Sequence, residues 1–482
     1  EREPDRDEPV LIEVASGHYE LADVLVLTSA DSGTETSPTI IRGVLTDDGQ
    51  RPLFSGGARI TDWQVREDAQ GRTLWETTLP EVAAGSWRFS ELFVNGERRF
   101  RPRLPERGWY QISETLEPSA EAAGKGHDRF GFHAEDIKAS WAGGDVEVLA
   151  VHRWTMSRMR VAEVDIEHRH VRFTGHTRAP VAWCSFPEGN LYLVENAPEA
   201  IGQPGSWYLD RTSGRLTYAP LPGESPEAVD VVAPRLERLV EIRGDLASGS
   251  RVEHIRFENL AFAHGGWNLA QQGQSFPQAE VNVGGVMVAT AARHIAFDRV
   301  TVQQVGRYAF EFGAGCHDCS VERCDLLDLG AGGVLIGTSG GPQSWGTPGT
   351  VDLPGGTVER ITVADCTIAH GGRLHSAAVG VWIGGAYFFT SSTSFANPMV
   401  SVARTLSDTF AGISPSSAPG FIAAQLIGAL IAWSIIPTLF PPETAAISAS
   451  LTPPLGPSLA PGRASLSLDR ARGWEEIRKP WR

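Results

Sequence analysis

HIRFENLAFAH from His254, HIAFDRVTVQQ from His294, DCSVERCDLLD from Asp318 and RITVADCTIAH from Arg360 align with one another without a gap. Apolar residues recur in matching columns: Ile255, Ile295, Cys319 and Ile361; Phe257, Phe297, Val321 and Val363; Leu260, Val300, Cys324 and Cys366; Phe262, Val302, Leu326 and Ile368. A second strand follows in register, GGVMV from Gly284, YAFEF from Tyr308, GGVLI from Gly332 and VGVWI from Val379, with 24 residues separating the first three. Strands this short cannot bury a face alone, so each turn of chain must stack on its neighbours to make one continuous core. The repeat predicts a mainly β protein, a right-handed parallel β-helix.

Each repeat closes on a polar residue: His264, Gln304, Asp328 and His370. Two positions later stands Gly266, Gly306, Gly330 or Gly372. With neighbouring strands about 4.8 Å apart, such a ladder would line a groove roughly 15 Å long, the size of an oligosaccharide. The repeated glycine allows φ > 0 or the close approach of a ligand. The competing reading is a plain turn ladder, in which these residues only end strands. Two long insertions favour a binding face: WNLAQQGQSFPQAEVNV directly after His264-Gly-Gly, and a Gly- and Pro-rich segment with Trp345 after Gly337. Long loops on a solenoid commonly carry its binding surface.

In the second strand, Val286, Phe310, Val334 and Val381, with Val288, Phe312, Ile336 and Ile383, are expected to look inward. Met287, Glu311, Leu335 and Trp382 then look outward. A carboxyl among apolar neighbours has its charged form disfavoured, which suits Glu311 to a general acid, although a solvated strand residue fits the same position. Glycoside cleavage needs a second carboxylate as nucleophile or base, and Asp328 supplies it. Trp382 is either a stacking platform for a sugar ring or an aromatic covered by an inserted loop.

Composition suits an exported β protein: 52 Gly, 31 Pro and 14 Trp in 482 residues give many turns and aromatic surface. A net charge of −16 argues against nucleic acid as partner, because phosphate binding rests on basic patches. Cys316 and Cys319 have C-x-x-C spacing, but Cys319 and Cys324 fall in core columns and no second pair completes a tetrahedral site. They read as apolar wedges, with no metal and no cofactor expected.

The segment from Val10 to Gly43 alternates apolar and polar residues between turn signals and reads as opening coils. The expected organisation is opening coils over 1–54, an inserted β-sandwich or accessory β-domain over 55–235 with turn signals VNGE at Val94 and DRTSGR at Asp210, and the coils with the polar column over 236–385.

ADSGTETSPTIIRG from Ala30, PLFSGGARITDW from Pro52, ELFVNGERRFRPRLPERGWY from Glu91, WYLDRTSGRLTYAPLPGE from Trp207, VGRYAFEFGAGC from Val305, LLDLGAGGVLIG from Leu326 and GGRLHSAAVGVWIG from Gly371 together resemble large bacterial β-helix glycoside hydrolases. Glycoside hydrolase family 141, with fucosidase and xylanase activities on plant cell-wall glycans, is the family suggested, over about residues 9–384. The resemblance implies Asp328, in the DLGAGG segment, as a catalytic residue. The further coils with a polar His-Asn and acidic element that the family pattern would supply next are absent, which implies an incomplete groove.

From Ala386 to about residue 442 the chain is similar to the last third of a bacterial aquaporin. The run that starts at Phe421 and ends at Phe440 has 20 residues without a charge, enough to cross a hydrocarbon core of about 30 Å, so membrane association is expected there, with a buried soluble helix as the competing reading. Asn397-Pro398-Met399 resembles the second Asn-Pro-Ala box, with Met in place of Ala and Val400 where many members carry a filter Arg. One span and one half-helix do not enclose a pore. The junction falls in VWIGGAYFF from Val381, so a fusion of two unrelated pieces is expected, followed by a disordered Pro-, Ser- and Ala-rich tail over 443–482.

The leading expectation is a glycosidase acting on plant or microbial polysaccharide through Asp328 and Glu311, with His264, Gln304, His370, Arg373, His375, Trp382 and Trp345 binding substrate. The alternative is a non-catalytic glycan-binding or membrane-tethered fusion product. A lyase fits less well, because no carboxylate cluster of the Ca²⁺-binding type lies in the columns. Location is expected to be extracellular or periplasmic for the coils, and at a membrane if the C-terminal run inserts.

Overall fold

The computed structural model describes residues 8–152, 155–178, 184–276, 280–337, 356–371, 416, 418–420 and 422–427. The chain divides into two units, Glu1–Trp382 and Ile383–Arg482. In the second, residues 418–420 and 422–427 are helical. Among the described residues no helix is long and apolar enough to cross a membrane. Asn397, Pro398, Met399, residues 428–440 of the expected span and the whole 443–482 tail lie outside the described residues.

The first unit is mainly β and is organised by three parallel sheets. One contains Val10–Val14, Thr39–Gly43, Val252–Glu258, Ala292–Asp298, His317–Glu322 and Glu359–Ala364 in that order. The second contains His18–Glu20, Leu53–Ser55, Ala261–Ala263, Thr301–Val305, Asp325–Leu329 and Thr367–Gly371. The third contains Leu25–Leu27, Val240–Arg243, Gly285–Thr290, Tyr308–Phe312 and Val334–Ile336. Each successive turn of chain therefore adds one strand to each sheet.

The sequence columns are the registers of these sheets. Ile255 stands opposite Ile295 and Phe257 opposite Phe297, which meets Val321; Phe262 stands opposite Val302, which meets Leu326 and then, across the next strand, Ile368. Leu260, Val300 and Cys324 join all of these except the exposed Ile368 in one buried cluster. Burying such a side chain contributes roughly 1.5–3 kcal/mol, so a column repeated turn after turn specifies its own stacking. Cys316, Cys319 and Cys324 are buried free thiols within the same cluster. In the third sheet one expectation slips by a residue: Met287 stands opposite Phe310 and Val288 opposite Glu311, while Glu311 meets Leu335 as expected.

The turns from second to third sheet carry the large insertions. Between Leu53–Ser55 and Val240–Arg243 run antiparallel sheets: one of Glu97–Arg99, Leu92–Val94, Val231–Pro234 and Gly57–Arg59; one of Trp207–Asp210, Arg215–Tyr218, Thr73–Thr78 and Gln64–Glu67; and seven strands of an eight-stranded one. Two separate cores hold them, one around Trp75, Phe89, Trp207 and Tyr218, the other around Phe130, Trp141, Phe173 and Tyr192. One turn later, the loop after His264 leaves at the same corner, and its strand Gln274–Phe276 pairs with Met156–Asp165 of the eight-stranded sheet.

Candidate active site

His264, Gln304 and Asp328 stand at the ends of successive strands of the second sheet, beside the aligned pairs Ala263–Gln303 and Gln303–Leu327. All three have left-handed backbone, φ 61°, 55° and 49°. The positive φ falls on the polar residues, not on the glycines that follow. It recurs at His254, His294, Asp318 and Arg360 and at Asn259, Arg299, Arg323 and Asp365, so left-handed residues recur in each turn from His254 to Asp365. The strand Thr367–Gly371 extends the same column, with Ala369 opposite Leu327; the His370 side chain is outside the described residues. Arg373, His375, Trp382 and Trp345 also lie outside them.

An open groove along this column was expected, and the structure differs. The hairpin Leu92–Val94/Glu97–Arg99, turned by Asn95 and Gly96 with φ 51° and 75°, lies over it. Such an Asn-Gly pair is the favoured two-residue connection, because both positions need φ > 0. Phe93 packs on the His264 ring at 5.1 Å, the Gln304 amide donates to the Gly96 carbonyl, and Arg98 Nε donates to Asp328 Oδ1 at 2.8 Å. His264 and Gln304 are buried as a result; Asp328 keeps 31% of its side chain exposed. The cause is topological: the inserted segment leaves from the corner where the column lies and folds back across it.

Burial holds His264 well below the usual imidazole range, at about 4, with the charges of His18 and Arg98 adding to the effect. Its Nδ1 lies 2.9 Å from Ser55 Oγ, itself buried. A neutral, enclosed imidazole at this point ties the column to the previous turn. It does not reach solvent as a substrate ligand would. Arg98 is fixed from several sides: its second nitrogen donates to the carbonyls of Val305 and Asp328 at 2.9 and 3.1 Å, and its guanidinium lies 4.8 Å from the Phe93 ring centroid.

Glu311 was expected to face outward between apolar neighbours. It is 4% exposed, in the strand Tyr308–Phe312 whose residues are all buried, and Oε2 accepts the Gly285 N–H at 2.9 Å. Outward positions of this strand are covered, so alternation did not mean exposure here.

A second carboxylate sits where the sequence columns pointed to none. Glu91, immediately before Leu92–Val94, is 8% exposed and accepts the Trp267 N–H on both oxygens, at 3.2 and 3.4 Å. Burial pushes it up to about 7, against the opposing pull of the Arg98 charge and the Trp267 N–H. Around it, Arg307 Nε donates to the Gly266 carbonyl at 3.1 Å and Arg307 pairs with Glu237, while Asn268 reaches the Arg88 carbonyl at 3.2 Å. The VNGE turn was the available signal for this region; nothing periodic marks Glu91 or Arg98. Among the described residues no group of three or more His, Cys, Asp or Glu is placed to hold a metal ion.

No protein-family model matches the chain. A solved structure described as a glycoside hydrolase is similar in fold, with a TM-score of 0.56 and 20% identity, over 75% of this chain and 65% of that one. The complex of XylC with xylose aligns over 75% of this chain and 59% of that one at 10% identity, but its TM-score of 0.27 carries no argument. The aquaglyceroporin AqpS of Rhizobium meliloti (strain 1021) is 48% identical over 80 residues, 16% of this chain and 34% of AqpS. The chain thus spans about a third of the curated relative it matches and just under two thirds of the glycoside hydrolase structure. At this level it has a glycoside-hydrolase-like β fold and, in part, a likeness to an aquaglyceroporin.

Proposed function

We propose that this chain is a glycoside hydrolase of the right-handed parallel β-helix type, related to family 141 and acting on plant or microbial polysaccharide. The single observation that carries the reading is Asp328: a partly exposed carboxylate on the polar column, held by Arg98 at the corner where both insertions depart. The fold likeness to a glycoside hydrolase structure supports it. A fixed, ion-paired and partly exposed carboxylate suits the base or nucleophile of glycoside cleavage. Glu311, enclosed and bonded to Gly285, holds the second-to-third sheet turn in this proposal and touches no substrate. In this reading Arg307, Asn268 and Trp267, which stand around Glu91, supply contacts to sugar hydroxyls and a ring face. Export to the periplasm or cell exterior follows from a polysaccharide substrate.

The test is hydrolysis of aryl glycosides and of xylo- and fuco-oligosaccharides by the full chain and its Asp328→Asn variant. Turnover by the wild type and its loss, by about 10³-fold or more, in the variant is the expected result. Turnover equal in both defeats the reading.

The 80-residue aquaglyceroporin likeness favours an accompanying reading, a membrane-tethered fusion product in which residues 421–440 associate with lipid. Recovery of the full chain in the soluble fraction after high-salt washing of membranes would defeat it; retention in the pellet until detergent is added supports it.

A further inference from the structure

The glycines that follow the polar column have a job in the fold. A Cβ at Gly306 would lie 2.1 Å from Glu91 Oε1 and 2.6 Å from the Trp267 nitrogen, and one at Gly266 would lie 3.6 Å from Glu91 Oε2. At Gly306 the column is bare because the Glu91 carboxyl and the Trp267 backbone rest on it, whereas at Gly266 the nearest atom is Pro234 Cβ, at 2.7 Å. The turn above is packed as closely: a Cβ at Gly330 would lie 2.3 Å from the Gly306 carbonyl oxygen. Asp328 stands two residues before Gly330, one turn on from Gly306, while Glu91 reaches Gly306 from the inserted hairpin. Arg98 acts on both. It bonds to Asp328, and it is the foremost positive charge acting on Glu91.

We infer that Glu91 is the proton-donating carboxyl that works with Asp328, in the role expected of Glu311; this rests on the hydrolase reading above. A general acid must hold its proton at neutral pH, which requires desolvation without a strong cationic partner. Glu91 meets that condition: it is enclosed, it accepts from the backbone N–H groups of Trp267 and Ser90, and Arg98, the foremost cation near it, is bonded to Asp328 and two carbonyls. In the reaction the Glu91 proton passes to the glycosidic oxygen as the bond to the anomeric carbon breaks, its electron pair going to that oxygen. Water adds to the anomeric carbon and gives a proton to the Asp328 carboxylate. Asp328 then releases that proton to solvent, and Glu91 takes one up.

The experiment compares the full chain with its Glu91→Gln variant on aryl glycosides of graded leaving-group acidity. A 2,4-dinitrophenolate needs no protonation to depart, whereas an unsubstituted phenolate does. Glu91→Gln is expected to lose about 10²–10⁴-fold in kcat/KM on phenyl glycosides and to stay within about tenfold of wild type on dinitrophenyl glycosides. The fall of wild-type activity above pH 7 is expected to vanish in the variant. Equal losses on both substrates, or a pH limb that persists, overturn the assignment of Glu91 while leaving the hydrolase reading intact. A wild type inert on every glycoside overturns both. Should Glu91→Gln fail to fold, Glu91→Asp replaces it: leaving-group dependence steeper than wild type supports the assignment, and dependence equal to wild type overturns it.

Discussion

Arg98 and Asp328 are separated by 230 residues, yet Arg98 Nε donates to Asp328 Oδ1 at 2.8 Å and the same guanidinium caps the carbonyls of Val305 and Asp328. This one side chain fastens the inserted hairpin to the stacked turns and sets the position of the carboxylate proposed to react. Arg98→Ala leaves three acceptors unmet in a part-buried site, and is expected to cost about 2 kcal/mol. Arg98→Lys is expected to recover only part of this, because a single ammonium cannot span a carboxylate and two carbonyls as a planar fork does. Urea midpoints of the three proteins, read at equal slope, check both statements.

Acid should loosen the first unit through its enclosed imidazoles. His264 and His152 are both held at about 4 by burial, below the ordinary 6.5. Between those values the unfolded chain takes up protons that the folded chain refuses, so each histidine removes stability as pH falls from 6.5 to 4, by roughly 3 kcal/mol at most. Glu91 works the other way. Raised to about 7 from 4.5, it keeps a proton the unfolded chain has lost, so its contribution is present below 4.5 and disappears as pH rises through 7. His264→Gln should therefore flatten the acid loss of stability and Glu91→Gln should steepen it. Unfolding midpoints measured at pH 7, 5.5 and 4.5 would show the opposite slopes; parallel curves for the two variants and the wild type would contradict this account.

The thiols offer a check on the stacked turns that needs no catalytic activity. Cys316, Cys319 and Cys324 are buried, and burial pushes them up to about 12, 11 and 12. Neither thiolate character nor access favours their reaction. Iodoacetamide at pH 8 is expected to leave all three unmodified in the native chain and to label them in urea, while the half-buried Cys366 labels first. Peptide mass mapping reads the order, and early labelling of Cys319 or Cys324 would show that the turns are not packed as described.

What could be seen in the sequence follows from what repeats. Ile255 and Ile295, Phe257 and Phe297, and Phe262 and Val302 stand in register because identical surroundings recur one turn later and select identical chemistry. The polar column was visible for the same reason. Its cover was not, because Phe93, Gly96 and Arg98 belong to an insertion without a period, and their placement over the column depends on contacts across more than 170 residues of chain. Glu311 misled because the alternation rule assumes one wet face, and the Tyr308–Phe312 strand has none. Glu91 carries no pattern at all. Its trace in the repeat is indirect: the side chain missing at Gly306.

That trace can be tested by restoring a side chain. Gly306→Ala places a methyl 2.1 Å from Glu91 Oε1 and 2.6 Å from the Trp267 nitrogen, and one of those neighbours is backbone. Neither can move away freely, since Gly306 is buried and its own N–H is bonded to the Gly265 carbonyl at 2.7 Å. Overpacking of this kind costs about 1–3 kcal/mol. Gly144→Ala is the matched control: its φ is not left-handed and its Cβ would come no nearer than 3.4 Å to the Trp141 carbonyl oxygen. A loss of that size at 306, with a change below about 0.5 kcal/mol at 144, is the expected outcome of paired urea titrations. Because the strain falls on the carboxyl that burial holds protonated, Gly306→Ala should also shift the pH dependence of stability towards that of Glu91→Gln. A destabilised Gly306→Ala protein whose pH dependence matches the wild type would mean that the glycine makes room for the Trp267 backbone and not for Glu91.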